Sequence, residues 1–231
     1  MLLLHTGVDI KRQGVFIMRV FDFDNTIYDG ESGFDIFMYY LKKEPKIVAK
    51  YVPKFGEGFV LYKLGKVKLD DVKKDYGYIL KECCAQISDI EQTIVEFWDE
   101  HEKKIKSFYP KIQREDDVVV SACPEVMLGE ICRRIGIRHF IGTEVDLKTG
   151  EIGRVCYREA KIAAYREQYG DKEIDEFYTD SMNDRAMMEI AKDVYYDGTM
   201  VQFKGVDHYS KIATKLAGQS TIHCSDGDIV L

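Results

Sequence analysis

The sequence lacks the basic excess and the long apolar runs that mark several common classes of protein. Its 33 lysine and arginine residues face 40 acidic ones, which gives a net charge of -7. This balance argues against general binding of nucleic acid or of a membrane surface, because both need an excess of basic residues. No apolar run approaches the length of a membrane span. The apolar start Leu2-Leu3-Leu4 is too short for a secretory signal.

Metal-binding cysteine motifs are also absent. The six cysteines form no CxxC pair, and no histidine lies at zinc-ligand spacing from them. We therefore expect reduced thiols in a cytoplasmic protein. The 231 residues, of which 45% are hydrophobic, suffice for one large domain or for a domain that carries a smaller insertion.

An unusual pair of acids follows the first apolar run. Residues 15–21 are almost entirely apolar, and Asp22-Phe23-Asp24 follows them directly. Half-buried carboxylates are costly unless a cation or a proton compensates them. The pair therefore indicates a functional site, although an isolated Asp-x-Asp at the end of a strand is also compatible with a turn or a helix cap.

The pattern of apolar residues divides the chain into two kinds of structure. Residues 32–106 repeat the i, i+3, i+4, i+7 spacing of helices, and no strand pattern interrupts them. Residues 15–31 and 107–205 instead show strands that alternate with helices, which predicts a parallel sheet. We expect an α/β core with an inserted, all-helical cap. Residues 1–14 and 206–231 show no clear pattern.

Polar residues follow three predicted strands of the core. Asp22 and Asp24 follow the first, Ser121 ends the second, and Asp180 and Asp184 follow a third. Ligands of such sheets bind outside the carboxyl ends of the strands, so these residues are expected to meet. Converging carboxylates repel one another, and Mg²⁺ with oxygen ligands is the natural compensation.

Each of these residues also has an ordinary structural explanation. Ser121 is compatible with a cap, and Lys161 with a solvated helix side chain. Asp180 and Asp184 are compatible with an N-cap and a first-turn acid that stabilise a helix dipole. The functional interpretation depends on their common order and their placement at strand ends.

The same residues suit phosphoryl transfer. An ionised carboxylate can attack phosphorus and form an aspartyl-phosphate. A second carboxyl group can protonate the leaving oxygen and then deprotonate the water that cleaves the intermediate. A lysine, a serine hydroxyl and the backbone amides after Ser121 can hold the phosphate oxygens.

Four segments resemble the motifs of the haloacid dehalogenase superfamily, and the resemblance spans roughly residues 15–200. The segments are Asp22-Phe23-Asp24-Asn25-Thr26, Val118-Val119-Val120-Ser121, Lys161 and Asp180-Ser181-Met182-Asn183-Asp184. The helical insert resembles the cap of the phosphoserine-phosphatase-like branch. The resemblance implies a Rossmann-like parallel sheet with an inserted helical cap, and a Mg-dependent phosphatase.

The resemblance also implies a role for each residue. Asp22 is the nucleophile and Asp24 the general acid and base, which favours a phosphatase over a dehalogenase. Phosphate would be bound by Thr26, Ser121, Ala122 and Lys161. Mg²⁺ would be held by Asp22, the backbone carbonyl of Asp24, and Asp180, with Asp184 beside it. Glu31 and Asn183 would face the substrate.

Two features concern the substrate. Phosphoserine phosphatases carry Ser-Gly-Gly at the second motif, where this chain has Ser121-Ala122-Cys123. Because side chains at the second and third positions crowd the substrate carboxylate, phosphoserine itself is disfavoured. Glu31 matches a substrate-binding glutamate of that branch, but it is also compatible with an acid at a helix start.

The sequence as a whole predicts a phosphomonoesterase that acts on a small phosphorylated metabolite. A phosphotransferase or phosphomutase, and a non-catalytic binding protein with the same fold, are the alternatives. We expect residues 32–106 to form a mobile lid, with hinges at Asp29-Gly30 and near Tyr109-Pro110. Five lid lysines either recognise an anionic leaving group or form a solvated face: Lys42, Lys43, Lys46, Lys50 and Lys54.

Overall fold

The computed structural model describes residues 17–67, 72–196, 199–201, 223–225 and 228–230. The predicted leader at 1–14 and most of 206–231 lie outside this part of the chain. None of the helices in the described ranges is long and apolar enough to cross a membrane.

A six-stranded sheet forms the centre of the fold, in the order β3-β2-β1-β6-β7-β8. All neighbours are parallel except β7 and β8, which are antiparallel. The sheet strands are β1 (Arg19–Phe21), β2 (Val118–Pro124), β3 (His139–Thr143), β6 (Ile174–Thr179), β7 (Ala191–Tyr196) and β8 (Thr199–Val201). Two small hairpins pair β4 (Val145–Asp146) with β5 (Glu151–Ile152) and β9 (His223–Ser225) with β10 (Asp228–Val230). The predicted α/β class is confirmed.

Helices cover both faces of the sheet and form the insertion. The described helices are α1 (Ser32–Lys43), α2 (Pro45–Val48), α3 (Val52–Lys63), α4 (Gly77–Gln86), α5 (Ile90–His101), α6 (Tyr109–Ile112), α7 (Glu125–Ile135), α8 (Ala160–Tyr169) and α9 (Arg185–Ile190). Short 3-10 turns at Ala49–Tyr51, Glu102–Lys104 and Met182–Asp184, and a π-helical segment at Val72–Tyr76, connect them. Within the described part of 32–106 every regular element is helical, as the spacing predicts.

The central strands are buried on both faces. Val118, Val119 and Val120 of β2 are at most 1% exposed. Val119 packs with Phe21 in one hydrophobic cluster, whereas Val118 and Val120 pack in the other, so successive residues face opposite layers. The strand continues past Ser121 to Pro124, with an irregular register between Val120 and Pro124. Pro124 therefore ends β2 and directly precedes α7.

The helix α5 belongs to the core by its packing. Phe97 and Trp98 are fully buried in the cluster that contains Phe21 and Leu128. The Trp98 indole Nε1 donates to the Met127 carbonyl at 2.9 Å. These contacts join α5 to the cluster of the core, on which Ile36 and Tyr39 of α1 also pack, and the insertion limit at 106 stays a prediction. We use "cap" below for the described part of residues 32–86.

The two predicted hinges have different surroundings. Gly30 has φ 143, a conformation that favours glycine, at the entry to α1. Tyr109 is fully buried, packs edge-to-face on Phe21 at 5.2 Å, and donates to Asp117 Oδ2 at 3.2 Å. Tyr109 is thus anchored in the core, and the hinge near Tyr109-Pro110 stays a prediction.

Candidate active site

Three charged side chains meet at the carboxyl edge of the sheet. Asp22 follows β1 and continues its ladder, because its N–H donates to the Tyr178 carbonyl at 2.8 Å. The Lys161 ammonium, on the first turn of α8, lies 2.8 Å from Asp22 Oδ1 and 2.6 Å from Asp184 Oδ1. The Thr179 hydroxyl donates to Asp184 Oδ2 at 2.8 Å. Both oxygens of Asp184 therefore have protein partners.

The cluster around Lys161 contains more acidic side chains than basic ones. Burial raises the pKa of Asp22 well above its usual value; Lys161 opposes this shift, and Asp184 and Asp180 add to it. Burial alone would lower the pKa of Lys161, but the carboxylates of Asp184 and Asp22 outweigh it and raise that pKa. Lys161 is thus held as a cation, while the acids around it lack full compensation.

Asp24 occupies a different environment at the start of the cap. Its Oδ1 accepts the N–H of Ser32, the first residue of α1, at 2.9 Å. Burial raises the pKa of Asp24 to about 7, although the Ser32 N–H partly opposes this. A carboxyl group with such a pKa can both donate and accept a proton near neutral pH.

Asp180 directly follows β6, and among the described residues no side chain makes a hydrogen bond or ion pair with its carboxylate. Burial, and next the nearby Asp184, raises its pKa to about 6.

The described residues hold no ready cluster of three histidine, cysteine or acidic side chains around a common metal position. Asp22 and Asp180 nevertheless line one cavity with Asp24, and their carboxylates and the Asp24 backbone carbonyl offer oxygen ligands. Such an all-oxygen set, completed by phosphate and water, suits Mg²⁺.

Nearly all the residues predicted for the site line one cavity. They are Asp22, Asp24, Glu31, Ser121, Ala122, Lys161, Asp180, Asn183 and Asp184. Thr26 is the exception: it is buried outside this lining, and its hydroxyl has no hydrogen-bond partner in the described part of the chain. Ser121 is almost fully buried, and its Oγ accepts the Cys123 N–H at 3.2 Å.

Glu31 faces the cavity although it precedes α1. Its Oε1 accepts the Asn25 amide at 2.7 Å and also pairs with the Lys63 ammonium at the end of α3. It makes no side-chain cap hydrogen bond to α1. The position therefore agrees with the substrate-facing prediction better than with a helix-start acid.

The sequence analysis missed the residues that the cap contributes to the cavity. Tyr62 and Lys63, at the end of α3, line it together with Tyr157 of the core. The Tyr62 and Tyr157 rings lie 5.4 Å apart, and Arg158 Nη1 donates to the Gly65 carbonyl at 2.9 Å. No local pattern marks these residues, because their role depends on how the cap folds back over the sheet.

The five lysines that the sequence singled out do not line this cavity. Lys43 and Lys50 pair with Glu96 and Glu82 at the surface. Lys54 pairs with Glu57 one helical turn away. The solvated-face interpretation therefore agrees with the structure, and recognition of an anionic leaving group by these lysines does not.

Comparison with protein families supports the same assignment. The model of the haloacid dehalogenase-like hydrolases matches residues 20–189. The chain belongs to this family of hydrolases. The match contains the strand ends that carry Asp22, Ser121 and Asp180, together with Lys161, and therefore the polar floor of the cavity.

Individual relatives of this haloacid dehalogenase-like hydrolase are distant. A probable phosphatase of Mycobacterium tuberculosis is 36% identical over 87 residues, which span 34% of this chain and only 30% of that protein. A Bordetella pertussis protein of unknown function has a TM-score of 0.65 at 17% identity, covering 87% of this chain and 96% of that one. A probable phosphoserine phosphatase of Vibrio cholerae has a TM-score of 0.55 at 15% identity, covering 85% of this chain and 64% of that one. The structural likenesses show a shared fold.

Proposed function

We propose that this hydrolase is a Mg-dependent phosphomonoesterase that acts through an aspartyl-phosphate at Asp22. The observation that carries the proposal is the placement of Asp22: it ends a central strand, contacts Lys161 at 2.8 Å and lines the same cavity as Asp24. The family match and the phosphatase-named relative support this reaction class.

The first half-reaction uses both acids of the first motif. The Asp22 carboxylate, held by Lys161 at 2.8 Å, attacks phosphorus through one oxygen, and its other oxygen is left for the metal. The new O–P bond forms as the bond from phosphorus to the leaving oxygen breaks. The proton of Asp24, whose pKa is about 7, passes to that oxygen and the alcohol departs.

The second half-reaction reverses the role of Asp24. As a carboxylate it accepts a proton from water, whose oxygen attacks phosphorus and breaks the bond to Asp22. Inorganic phosphate then leaves, and Asp22 is restored. The Lys161 ammonium stabilises negative charge on the phosphoryl oxygens in both steps.

The metal would be held by the carboxylates of Asp22 and Asp180 and by the backbone carbonyl of Asp24. When bound, Mg²⁺ would supply the positive charge that the acid cluster lacks and neutralise the phosphoryl oxygens. In this structure the two oxygens of Asp184 contact Lys161 and Thr179, and its further assignment as a metal ligand stays a prediction. Its proposed role is to position Lys161.

The cap supplies the roof of the cavity through Tyr62 and Lys63. We propose that it moves about Asp29-Gly30 and selects the substrate, while the residues of the sheet edge perform the chemistry. Closure would keep the phosphoenzyme away from bulk water until the alcohol has left.

Hydrolysis of p-nitrophenyl phosphate tests the reaction class. We expect Mg-dependent release of phosphate with water as the sole acceptor, reversible loss with a chelator, and recovery on adding Mg²⁺. A phosphotransferase would release p-nitrophenol only when an acceptor alcohol is added, with the phosphoryl group on that alcohol and not as free phosphate, and a binding protein would release neither product. Undiminished turnover in the chelated enzyme would refute the metal assignment.

A further inference from the structure

An apolar cavity adjoins the polar catalytic cavity beneath the cap. It has a volume of about 300 Å³, and four residues line both cavities: Asp24, Tyr62, Ala122 and Tyr157. Asp24 supplies the proton for the leaving oxygen in the proposed function. The apolar cavity therefore begins where the leaving group must lie.

The apolar space continues away from the catalytic residues. A second cavity of about 320 Å³ shares lining residues with the first, among them Gly33, Phe55, Leu80 and Pro124. No charged side chain of the described chain lines this second cavity, and Asp24 is the single charged residue lining the first. The two cavities form a continuous apolar channel between cap and core.

The lining determines which leaving groups fit. An ammonium or a carboxylate placed there beyond the reach of Asp24 would lose its hydration without gaining a charged partner among the described lining residues, which is costly. A hydrocarbon would instead gain by leaving water, and an apolar cavity of this size readily accepts one. The channel thus disfavours phosphoserine for a reason independent of the Ser121-Ala122-Cys123 sequence.

We propose that the substrate is a phosphate monoester of an apolar alcohol, whose hydrocarbon lies in the channel between cap and core. This inference rests on the proposed phosphatase function and names its substrate class. The phosphate occupies the polar cavity beside Asp22 and Lys161, and the leaving oxygen lies near Asp24, where the two cavities meet.

A series of linear alkyl phosphates tests the proposal. Ethyl, butyl, hexyl and octyl phosphate are compared below their micelle concentrations. Each added methylene is expected to raise kcat/KM by about fourfold, the equivalent of about 0.8 kcal/mol, until the channel is filled. We expect at least a hundredfold rise from ethyl to octyl phosphate, and phosphoserine below butyl phosphate. A flat series would overturn the proposal.

Two glycines of the cap offer a matched pair of variants. Gly33 lines both apolar cavities, and a Cβ there meets nothing within 4 Å, so Gly33→Leu places its side chain in the channel. Gly56 lies exposed on α3, outside both linings, and its Cβ position is equally open. Both are helical positions at which leucine is favoured over glycine.

Gly33→Leu is expected to lower the octyl-to-ethyl ratio of kcat/KM by tenfold or more, whereas Gly56→Leu leaves it unchanged. The ratio is used because a change in the chemical step affects kcat/KM of all the esters equally and therefore cancels. Equal ratios in the two variants would place the hydrocarbon elsewhere and overturn the proposal.

Binding separates failure of this inference from failure of the proposed function. If no ester is hydrolysed, the phosphatase function fails, and calorimetric titration with octyl and ethyl phosphate then decides the inference alone. At least tenfold tighter binding of octyl phosphate, lost in Gly33→Leu and kept in Gly56→Leu, would support the channel. Equal affinities would refute it.

Discussion

Buried charge occurs at both ends of the parallel sheet, and the two ends are built differently. At the amino end, Arg19 begins β1 and its guanidinium lies 3.0 and 3.1 Å from the two carboxylate oxygens of Asp117. The Tyr109 hydroxyl and the Arg114 N–H also donate to Asp117. One buried cation thus faces the buried carboxylate of Asp117 and, at 3.8 Å, the more exposed Glu176, and none of the three lines the catalytic cavity.

At the carboxyl end, the ammonium groups of Lys161 and Lys63 face five acids that line the same cavity. Lys161 contacts Asp22 and Asp184, while Asp24 and Asp180 line the same cavity without an ion-pair partner in the described chain. A structural ion pair is compensated by the protein itself, whereas the proposed function has a bound metal supply the charge that this cluster lacks. Charge is buried at both ends of the sheet. The two ends differ in how far the protein itself supplies countercharges for its buried acids.

The largest expected effect is the loss of activity in Asp22→Asn. The amide has the same shape but cannot attack phosphorus, so kcat should fall at least about a thousandfold. Lys161 keeps Asp184 as a partner, so the melting temperature should stay close to that of the wild type. Near wild-type turnover in purified, folded Asp22→Asn would remove the aspartyl-phosphate mechanism.

A substitution at the amino end of the sheet should instead lower stability and leave activity nearly unchanged. Arg19→Met leaves Asp117 buried without its cation and is expected to lower the free energy of unfolding by about 3 kcal/mol or more. Per folded molecule, kcat should stay within about threefold of the wild type. Denaturant unfolding and active-site titration measure the two quantities. A large loss of kcat in a stable Arg19→Met protein would contradict the division of roles.

Asp180→Asn tests whether Asp180 is a ligand of the metal. Because the amide cannot supply anionic charge, the Mg²⁺ concentration for half-maximal activity should rise about tenfold or more. Asp171→Asn serves as the control, since Asp171 is an almost fully exposed acid in a loop. The same Mg²⁺ requirement in both variants would show that Asp180 is not a ligand.

The smallest effect concerns the roof of the site. Lys63→Met removes the partner of Glu31, and the pair is partly exposed, so stability should change by less than about 1 kcal/mol. The ranking of phosphate esters should nevertheless shift severalfold. Lys50→Met, which breaks a surface pair with Glu82, should leave the ranking unchanged. A uniform change for all esters in Lys63→Met would make this contact structural only.

The floor of the site could be predicted from the sequence because parallel strands end at a common edge. That rule brings Asp22, Ser121 and Asp180 together whatever the length of chain between them. Lys161 and Asn183 followed from the family resemblance. The same reasoning could not find the Arg19–Asp117 pair, because a basic residue at a strand start and an acid before another strand carry no local signal of contact.

The roof could not be predicted in the same way. Helical spacing predicted the helices of the insertion but not their packing, and it does not show that Trp98 of α5 lies in the core cluster. The lysines chosen from that region face solvent, while Lys63 reaches the cavity from the end of α3. Tertiary packing, which the i, i+4 pattern leaves open, decides these positions.

The most direct test of the account is to identify the residue that carries the phosphoryl group during turnover. The enzyme is quenched in acid while it hydrolyses p-nitrophenyl phosphate, and its peptides are mapped by mass spectrometry. Asp24→Asn, which lacks the base that activates water, should accumulate more of the adduct than the wild type. The account predicts phosphate on Asp22 in both proteins and none in Asp22→Asn. Phosphate on another residue, or steady turnover with no adduct in any of the three, would contradict it.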